Sequence, residues 1–253
     1  MHLLSLTTRL RAAGCVFAED EAELLIQAAR TPAELQAMVA DRIDGLPLEH
    51  ILGWAEFCGL RIAVDPGVFV PRKRTEFLVH EAAALAPENA VVVDLCCGSG
   101  AVGAALVALL GPIELSAVDI EPSAVACTKR NVDANVYQGD LYEPLPVTLR
   151  GRVDVLVANA PYVPTDAIGL LPPEARNYEP LVALDGGADG LEVQRRVAAE
   201  ATRWLAPGGH LLVETSESQA PRTVEMFSRN GLRTRVARSE HIGATVVIGT
   251  RPS

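Results

Sequence analysis

The stretch Val91 to Gly103, VVVDLCCGSGAVG, constrains the fold of this chain more than any other. Three β-branched residues lead to an acid, then to Gly98-Ser99-Gly100, with Gly103 three residues later. A small-residue segment, Ala101 to Leu110, runs on until Gly111-Pro112 stops it. The pattern predicts a buried strand, a glycine turn and a helix start, the first βα unit of a nucleotide-type sheet. Gly98 and Gly100 lack a Cβ, so the backbone there can bend tightly and come close to a ligand. Asp119 ends the next apolar run, Ile113 to Val118, and lies 19 residues beyond Gly100. That is the spacing, roughly 20 residues, of the acid that grips ribose hydroxyls in such sheets. A bare GxGxxG is a weak signal. Strand, helix and spaced acid together point to a ribose-containing cofactor rather than to a glycine turn without a ligand.

The 253 residues are enough for one large domain, or one with a small appendage. A net charge of −10 and 4% aromatic residues weigh against broad nucleic-acid binding, which leans on phosphate neutralisation and on stacking. No apolar run reaches the roughly 18 residues of a membrane span. In MHLLSLTTRLRAAG the apolar run is short and interrupted by arginines, so the spacing of Leu3, Leu6 and Leu10 predicts an amphipathic helix rather than a secretory signal. A cytoplasmic protein is expected. The five cysteines, Cys15, Cys58, Cys96, Cys97 and Cys127, form no CxxC pair and have no accompanying His-x3-His, so no metal site is expected. Cys96-Cys97 reads as a pair of small side chains inside the glycine turn.

Residues 1 to about 45 predict three short helices. Ala22, Leu25, Ile26 and Ala29 fall on one face, and Thr31-Pro32-Ala33-Glu34 reads as a capped helix start. Leu35, Met38, Val39 and Ile43 then carry the buried face. This is too little core to stand alone, so these helices should dock on the rest of the chain. Residues 55 to 70 alternate and contain Asp65-Pro66-Gly67, which predicts a hairpin turning there. The basic triplet Arg72-Lys73-Arg74 comes next, either a solvated loop or a grip on an acidic or backbone feature of a substrate, and then a helix over Phe77 to Leu85. Beyond it, strands at 91–95, 114–119, 135–138, 153–158 and 210–215 alternate with helices at 101–110, 122–133, 189–205 and 217–230, which implies a parallel sheet covered on both faces. Two last strands, Leu232 to Arg238 and Ala244 to Thr250, are joined by a connection too short for a parallel crossover and must be antiparallel.

Ligands in an open α/β sheet bind beyond the carboxyl ends of the strands, where the strand order reverses. With three strands built outward and the fourth returning to the other side of the first, the end of strand 153–158 should face the glycine turn. That end reads Asn159-Ala160-Pro161-Tyr162. An Asx turn ending a strand is the plainer reading; the location favours function. The Asn159 side-chain carbonyl and the Ala160 backbone carbonyl could accept both hydrogens of a planar NH2 group, and Tyr162 could cover the apolar stem behind it. Such a clasp serves a weak nitrogen nucleophile held about 3–3.5 Å from an electrophile. Two cofactors fit. A dinucleotide would set its pyrophosphate at the helix start after Gly100. S-adenosylmethionine, cationic and without phosphate, prefers acids, and Asp94, Asp119 and Asp140 end or follow successive strands.

At these residues the chain resembles the S-adenosylmethionine-dependent protein-(glutamine-N5) methyltransferases of the HemK type, which modify peptide-chain release factors. The likeness runs from about Pro47 through PLEHILGWAEFCGL, VFVPRKRTE, VVVDLCCGSGAVG, AVDIEPSAV, GDLYEPL, ANAPY, NYEPLVALDGGADGL and APGGHLLVE. It implies a class I methyltransferase (Rossmann-like) fold, a seven-stranded, mostly parallel sheet with a C-terminal antiparallel hairpin, plus a small helical N-terminal domain. The expected division is residues 1–53 for substrate recognition, 54–86 for hairpin and linker, and 87–253 for the methyltransferase domain. By the same resemblance Asp94, Cys96, Cys97, Gly98, Gly100, Asp119 and Ile120 hold S-adenosylmethionine with Asn159, and Asp140-Leu141 lie near its adenine. Asn159, Ala160, Pro161 and Tyr162 match the family's Asn-Pro-Pro-Tyr, the catalytic clasp on a glutamine amide, and Phe69 lines the substrate pocket. The implied partner is a protein with an exposed glutamine, in a release-factor-like loop. This chain departs from the family at Ala160, at Cys96-Cys97 in place of a Gly-Thr type pair, in a shorter N-terminal domain, and at Arg72-Lys73-Arg74 where Pro-Arg-Pro-Asp/Glu-Thr-Glu is usual; it reads as a divergent member. Three other readings stand beside this one. Amino-methylation of a nucleic-acid base uses a related grip but is disfavoured by the acidic charge. A non-catalytic binding module is disfavoured by the intact acid series. A nicotinamide-dependent oxidoreductase comes last.

Overall fold

The computed structural model describes residues 3–253; Met1 and His2, the first two residues of the predicted N-terminal helix, lie outside the described residues. Helices α1 (Leu3–Ala12), α2 (Ala18–Ala28) and α3 (Pro32–Ile43) pack around Leu6, Leu10, Ala22, Leu25 and Val39, with α4 (Leu48–Leu52) beside them. The start of α3 forms as its sequence predicts. Thr31 Oγ1 accepts from the Glu34 amide at 3.1 Å, and Glu34 reaches back to accept from the Arg30 amide at 2.8 Å. The face predicted for α2 holds at Ala22 and Leu25, but Ile26 is exposed and Ala18 is buried with them. The bundle docks as expected, through its polar side. Arg42, buried in α3, donates to both oxygens of Glu21 and also to Glu174, 132 residues on.

The predicted hairpin exists, but it turns elsewhere. β1 (Trp54–Phe57) and β2 (Leu60–Ala63) pair antiparallel across Cys58-Gly59, both at positive φ (49° and 73°), the mirror-image turn that matches strand twist. Asp65-Pro66-Gly67 makes a separate turn after β2, closed by the Val68 amide on the Asp65 carbonyl at 3.0 Å. A short 3-10 turn, Lys73–Thr75, leads into α5 (Glu76–Ala83).

The remainder is the expected alternation: β3 (Val91–Leu95), α6 (Ala101–Leu110), β4 (Glu114–Asp119), α7 (Pro122–Asn131), β5 (Asn135–Gln138), β6 (Val153–Ala158), two short helices α8 (Pro173–Tyr178) and α9 (Leu181–Leu184) that the sequence pattern does not reveal, α10 (Glu192–Trp204), β7 (Leu205–Glu214), α11 (Ala220–Arg229), β8 (Arg233–Ser239) and β9 (Ala244–Thr250). The sheet order is β5-β4-β3-β6-β7-β9-β8. The strands from β5 to β7 are parallel, and β9 runs antiparallel between β7 and β8. β3 is buried throughout and alternates between two cores. Val91, Val93 and Leu95 face α10 and α11 with Val197, Trp204 and Phe227, while Val92 faces α5 and α6 with Leu78 and Leu106. Each such side chain contributes roughly 1.5–3 kcal/mol on burial. β7 begins five residues before the predicted strand and pairs with β6 across a register shift. Only glycine fits at 209, where a Cβ would come within 2.6 Å of the Val153 carbonyl oxygen. Among the described residues no helix is long and apolar enough to cross a membrane.

Candidate active site

The register of the central strands builds the site. Leu95 at the end of β3 pairs with Val118 on one side and with Ala158 on the other. The next residue of each strand therefore emerges at the same sheet edge: Cys96, Asp119 and Asn159. Below them opens a cavity with about 1080 Å³ of space between its walls, continuous with solvent. Asp94, Cys96, Cys97, Gly98, Asp119, Ile120, Asp140, Leu141 and Asn159 all line it, so the clasp and the glycine turn share one hollow. Gly100 is not among the lining residues. It stands behind the wall at a φ of 78°, where a Cβ would come within 2.7 Å of Thr128, so both the backbone conformation and the close packing favour glycine there.

The turn is fastened by backbone. The Asp119 carboxylate accepts from the Gly98 amide at 2.8 Å and from the Glu121 amide at 3.0 Å, and the Cys97 amide donates to the Val118 carbonyl at 3.1 Å. Asp94, 2% exposed, accepts from the Gly103 amide at 3.1 Å. Burial pushes the Asp94 carboxyl up to about 7, against that one hydrogen bond, and pushes Asp119 upward as well. Cys96 and Leu141 sit in the left-handed region (φ 57° and 49°), a strain of roughly 1–3 kcal/mol for a side-chain-bearing residue. Burial raises both thiols of Cys96-Cys97 and keeps them protonated, in keeping with a packing role. Asp140 is paired with Arg196, which also lines the cavity.

A second cavity, with about 800 Å³ of space, adjoins the first. Phe69, Asn159, Pro161 and Ala183 line both, while Ala160, Tyr162, Arg72, Arg74 and Glu174 line only the second. Each charge of the basic triplet pairs with an acid of the chain itself, although Lys73 and Arg74 stay exposed to solvent. Arg72 pairs with Glu179 at 2.6 Å, Lys73 with Glu76 at 3.1 Å and Arg74 with Glu214 at 3.1 Å. Glu179 and Glu214 are buried, and folding the loop onto them is better than leaving them without a counter-charge. Thr75, 2% exposed, accepts from Asn159 Nδ2 at 3.4 Å, which turns the other side of the Asn159 amide away from it.

Thr75, Glu179 and Glu214 were not singled out by sequence reasoning. Glu214 carries a signal that could have found it: like Asp94 and Asp119, it is an acid at the end of an apolar strand, in HLLVE. Thr75 and Glu179 have no such pattern.

A family model described as the methyltransferase small domain matches residues 59–169. The release factor glutamine methyltransferase of Geobacter sulfurreducens is 40% identical over 228 residues, 87% of this chain and 79% of that one. That of Mycolicibacterium smegmatis is 40% identical over 204 residues, covering 79% and 72%. Among solved structures, a methyltransferase from Pyrococcus furiosus superposes with a TM-score of 0.60 at 15% identity, over 86% of this chain and 98% of that one, which shows a shared fold. With its sheet order, its strand-end acids and relatives this similar over most of their length, the chain belongs to the family of release factor glutamine methyltransferases.

Proposed function

We propose that the two cavities work as one site, the first holding S-adenosylmethionine and the second admitting a glutamine side chain from a protein, with Asn159 at their junction. The reaction is S-adenosylmethionine-dependent methylation of a glutamine side-chain amide nitrogen, and the partner in this reading is a peptide-chain release factor or a protein with a similar exposed loop. The observation that carries it is the shared hollow: Gly98 and Asn159, 61 positions apart in sequence by 159 minus 98, line the same cavity.

The cofactor fits the residues present. A carboxylate has about four acceptor sites, and the backbone amides on Asp119 do not fill them, which leaves acceptor capacity for ribose hydroxyls. A methyl group built on Gly98 would meet no protein atom within 4 Å, so the turn leaves room beside its backbone. Asp94 lines the cavity with its charge suppressed by burial, a state that a cationic ligand reverses. Cys96, Cys97 and Ile120 supply apolar wall, and Asp140 and Leu141 border the adenine in this reading.

When bound, S-adenosylmethionine supplies an electrophilic methyl group on a positively charged sulfur. Asn159 Oδ1 and the Ala160 carbonyl accept the two hydrogens of the substrate amide, and Thr75 holds Asn159 in the orientation that presents that oxygen. An amide nitrogen is a weak nucleophile, so the contribution of these residues is position: the nitrogen is fixed in plane and turned toward the cofactor cavity. Pro161 stiffens the clasp, and Phe69 and Tyr162 cover the methylene stem of the glutamine.

Residues 1–53 are read as the substrate-recognition part, 54–86 as the hairpin and linker, and 87–253 as the methyltransferase domain. The Arg42–Glu174 pair supports this, because Glu174 lines the second cavity and ties the helical bundle to its rim. A cytoplasmic location suits five free cysteines. The test is incubation with S-adenosylmethionine and a release factor, followed by mass spectrometry of the peptides. One added methyl on a glutamine is expected; methyl groups on nucleic acid and none on protein would overturn the reading.

A further inference from the structure

We propose that Arg74 and the buried Glu214 are positioning residues that lock the Tyr162 ring over the substrate side chain; the inference rests on the reading of Asn159 to Tyr162 as an amide clasp. Three elements meet here: the turn before α5, the loop after β6 and the last residue of β7. Arg74 Nη2 donates to the Tyr162 hydroxyl at 2.6 Å, the hydroxyl donates to Glu214 Oε1 at 3.1 Å, and Arg74 Nε donates to the same oxygen at 3.1 Å. The phenol is thus engaged at once as acceptor and as donor, and the triangle leaves its ring one direction to point. The guanidinium carbon also lies 5.9 Å from the ring centroid.

The environment of Glu214 shows why the lock holds. Its side chain is 2% exposed, and its second oxygen, Oε2, is buried without a hydrogen-bond partner. A carboxylate in that state depends on a counter-charge, which Arg74 supplies from a half-exposed position. Arg74 is not the loop's only anchor, since Arg72 already ties it to Glu179. What Arg74 adds is the bond to Tyr162. Both residues line the second cavity and not the first, so the lock acts on substrate position and leaves the cofactor alone.

A double-mutant cycle on methyl transfer to a release factor tests this, with cofactor binding followed by calorimetry. Arg74→Gln is expected to lower kcat about tenfold while the Kd for S-adenosylmethionine stays within about twofold, since a misaligned clasp loses orientation rather than binding. Arg74→Lys, which keeps the charge and one donor, should recover part of the loss. In a Tyr162→Phe background, with no hydroxyl to hold, Arg74→Gln should lower kcat no further. Equal losses in both backgrounds, or a loss confined to KM, would overturn the lock. A readout without turnover separates this from the reading it rests on: the carbon-13 resonance of the Tyr162 phenolic carbon, assigned by its disappearance in Tyr162→Phe. It should shift in Arg74→Gln and in Glu214→Gln. An unmoved resonance sinks the lock even if glutamine is methylated, and absent transfer by the parent enzyme sinks the clasp reading while the resonance still decides the lock.

Discussion

The two cavities are walled differently. The part of the first cavity's wall that carries the glycine turn is local: it falls between Asp94 and Leu141, and backbone bonds at the ends of β3 and β4 hold it, while residues as distant as Phe57 and Arg196 close the rest. It tolerates two side-chain-bearing residues at positive φ, which a flexible segment would not retain. The wall beyond Asn159 is assembled from distant parts, and ion pairs fasten it. Arg72–Glu179, Arg42–Glu174 and Arg74–Glu214 join residues 107, 132 and 140 positions apart. A turn fixed by its own backbone can serve the same cofactor in many chains. A wall fixed by side-chain pairs can change as single residues change, and it borders the cavity read here as the substrate's.

The sharpest way to break this contrast is at the junction. Asn159→Ala should reduce glutamine methylation at least about a hundredfold, because it removes one of the two acceptors that orient the amide. Calorimetry should show S-adenosylmethionine still bound, and a parallel collapse of cofactor affinity would mean that the two walls are not separable. Next in size is Gly190→Ala. A Cβ there would sit 2.3 Å from the Tyr162 carbonyl oxygen and 2.4 Å from Gln219 Nε2, at a φ of 73°. Gln219 Nε2 bonds that carbonyl at 2.9 Å, so the substitution displaces the clasp and should destabilise the fold by roughly 2–4 kcal/mol. Thermal melting and kcat should fall together; an unchanged kcat would argue that the wall adapts.

On the cofactor side, pH is the probe. Burial raises the Asp94 carboxyl to about 7, so between the ordinary carboxylate range and about 7 the folded protein keeps a proton that the unfolded chain has lost. The Asp94 contribution to cofactor-free stability therefore falls as pH rises through that window. Binding of a cation, which favours the carboxylate, should tighten over the same window, by up to about tenfold per pH unit, with proton release. Calorimetry in buffers of different ionisation enthalpy measures both; affinity independent of pH from 5 to 8 would remove Asp94 from the account. The smallest effect is expected for Cys96→Gly. Relief of strain at a φ of 57° should outweigh the lost packing and the added chain entropy, and raise Tm by about 1–3 °C. A lower Tm would show that the thiol packs more firmly than the turn is strained.

Much of the fold was legible in the chain. β-branched runs ending in acids, glycine turns and the five-residue gap between the last two strands specify a parallel sheet with an antiparallel finish, because side-chain periodicity and connection length are local properties. The hairpin was legible in kind but not in place. Asp65-Pro66-Gly67 is the stronger turn signal, yet the chain turns at Cys58-Gly59, where Phe57 and Ile62 bury on the α5–α6 face and the Cys58 amide reaches Glu76 at 2.8 Å. Helices α8 and α9 were missed because four to six residues show too little periodicity to read.

The sequence by itself determined the glycine turn, the acids that follow the strands and the Asn159 motif, since each is written in neighbouring residues whose backbone preferences act over a few bonds. Tertiary structure alone decided what the two arginines do. Arg72, Lys73 and Arg74 form one basic run on paper; Lys73 meets Glu76 three residues on, but only the fold brings Arg72 to Glu179 and Arg74 to Glu214. Ion pairing depends on distance through space and on burial, and for residues more than a hundred positions apart neither quantity exists until the sheet has brought them together.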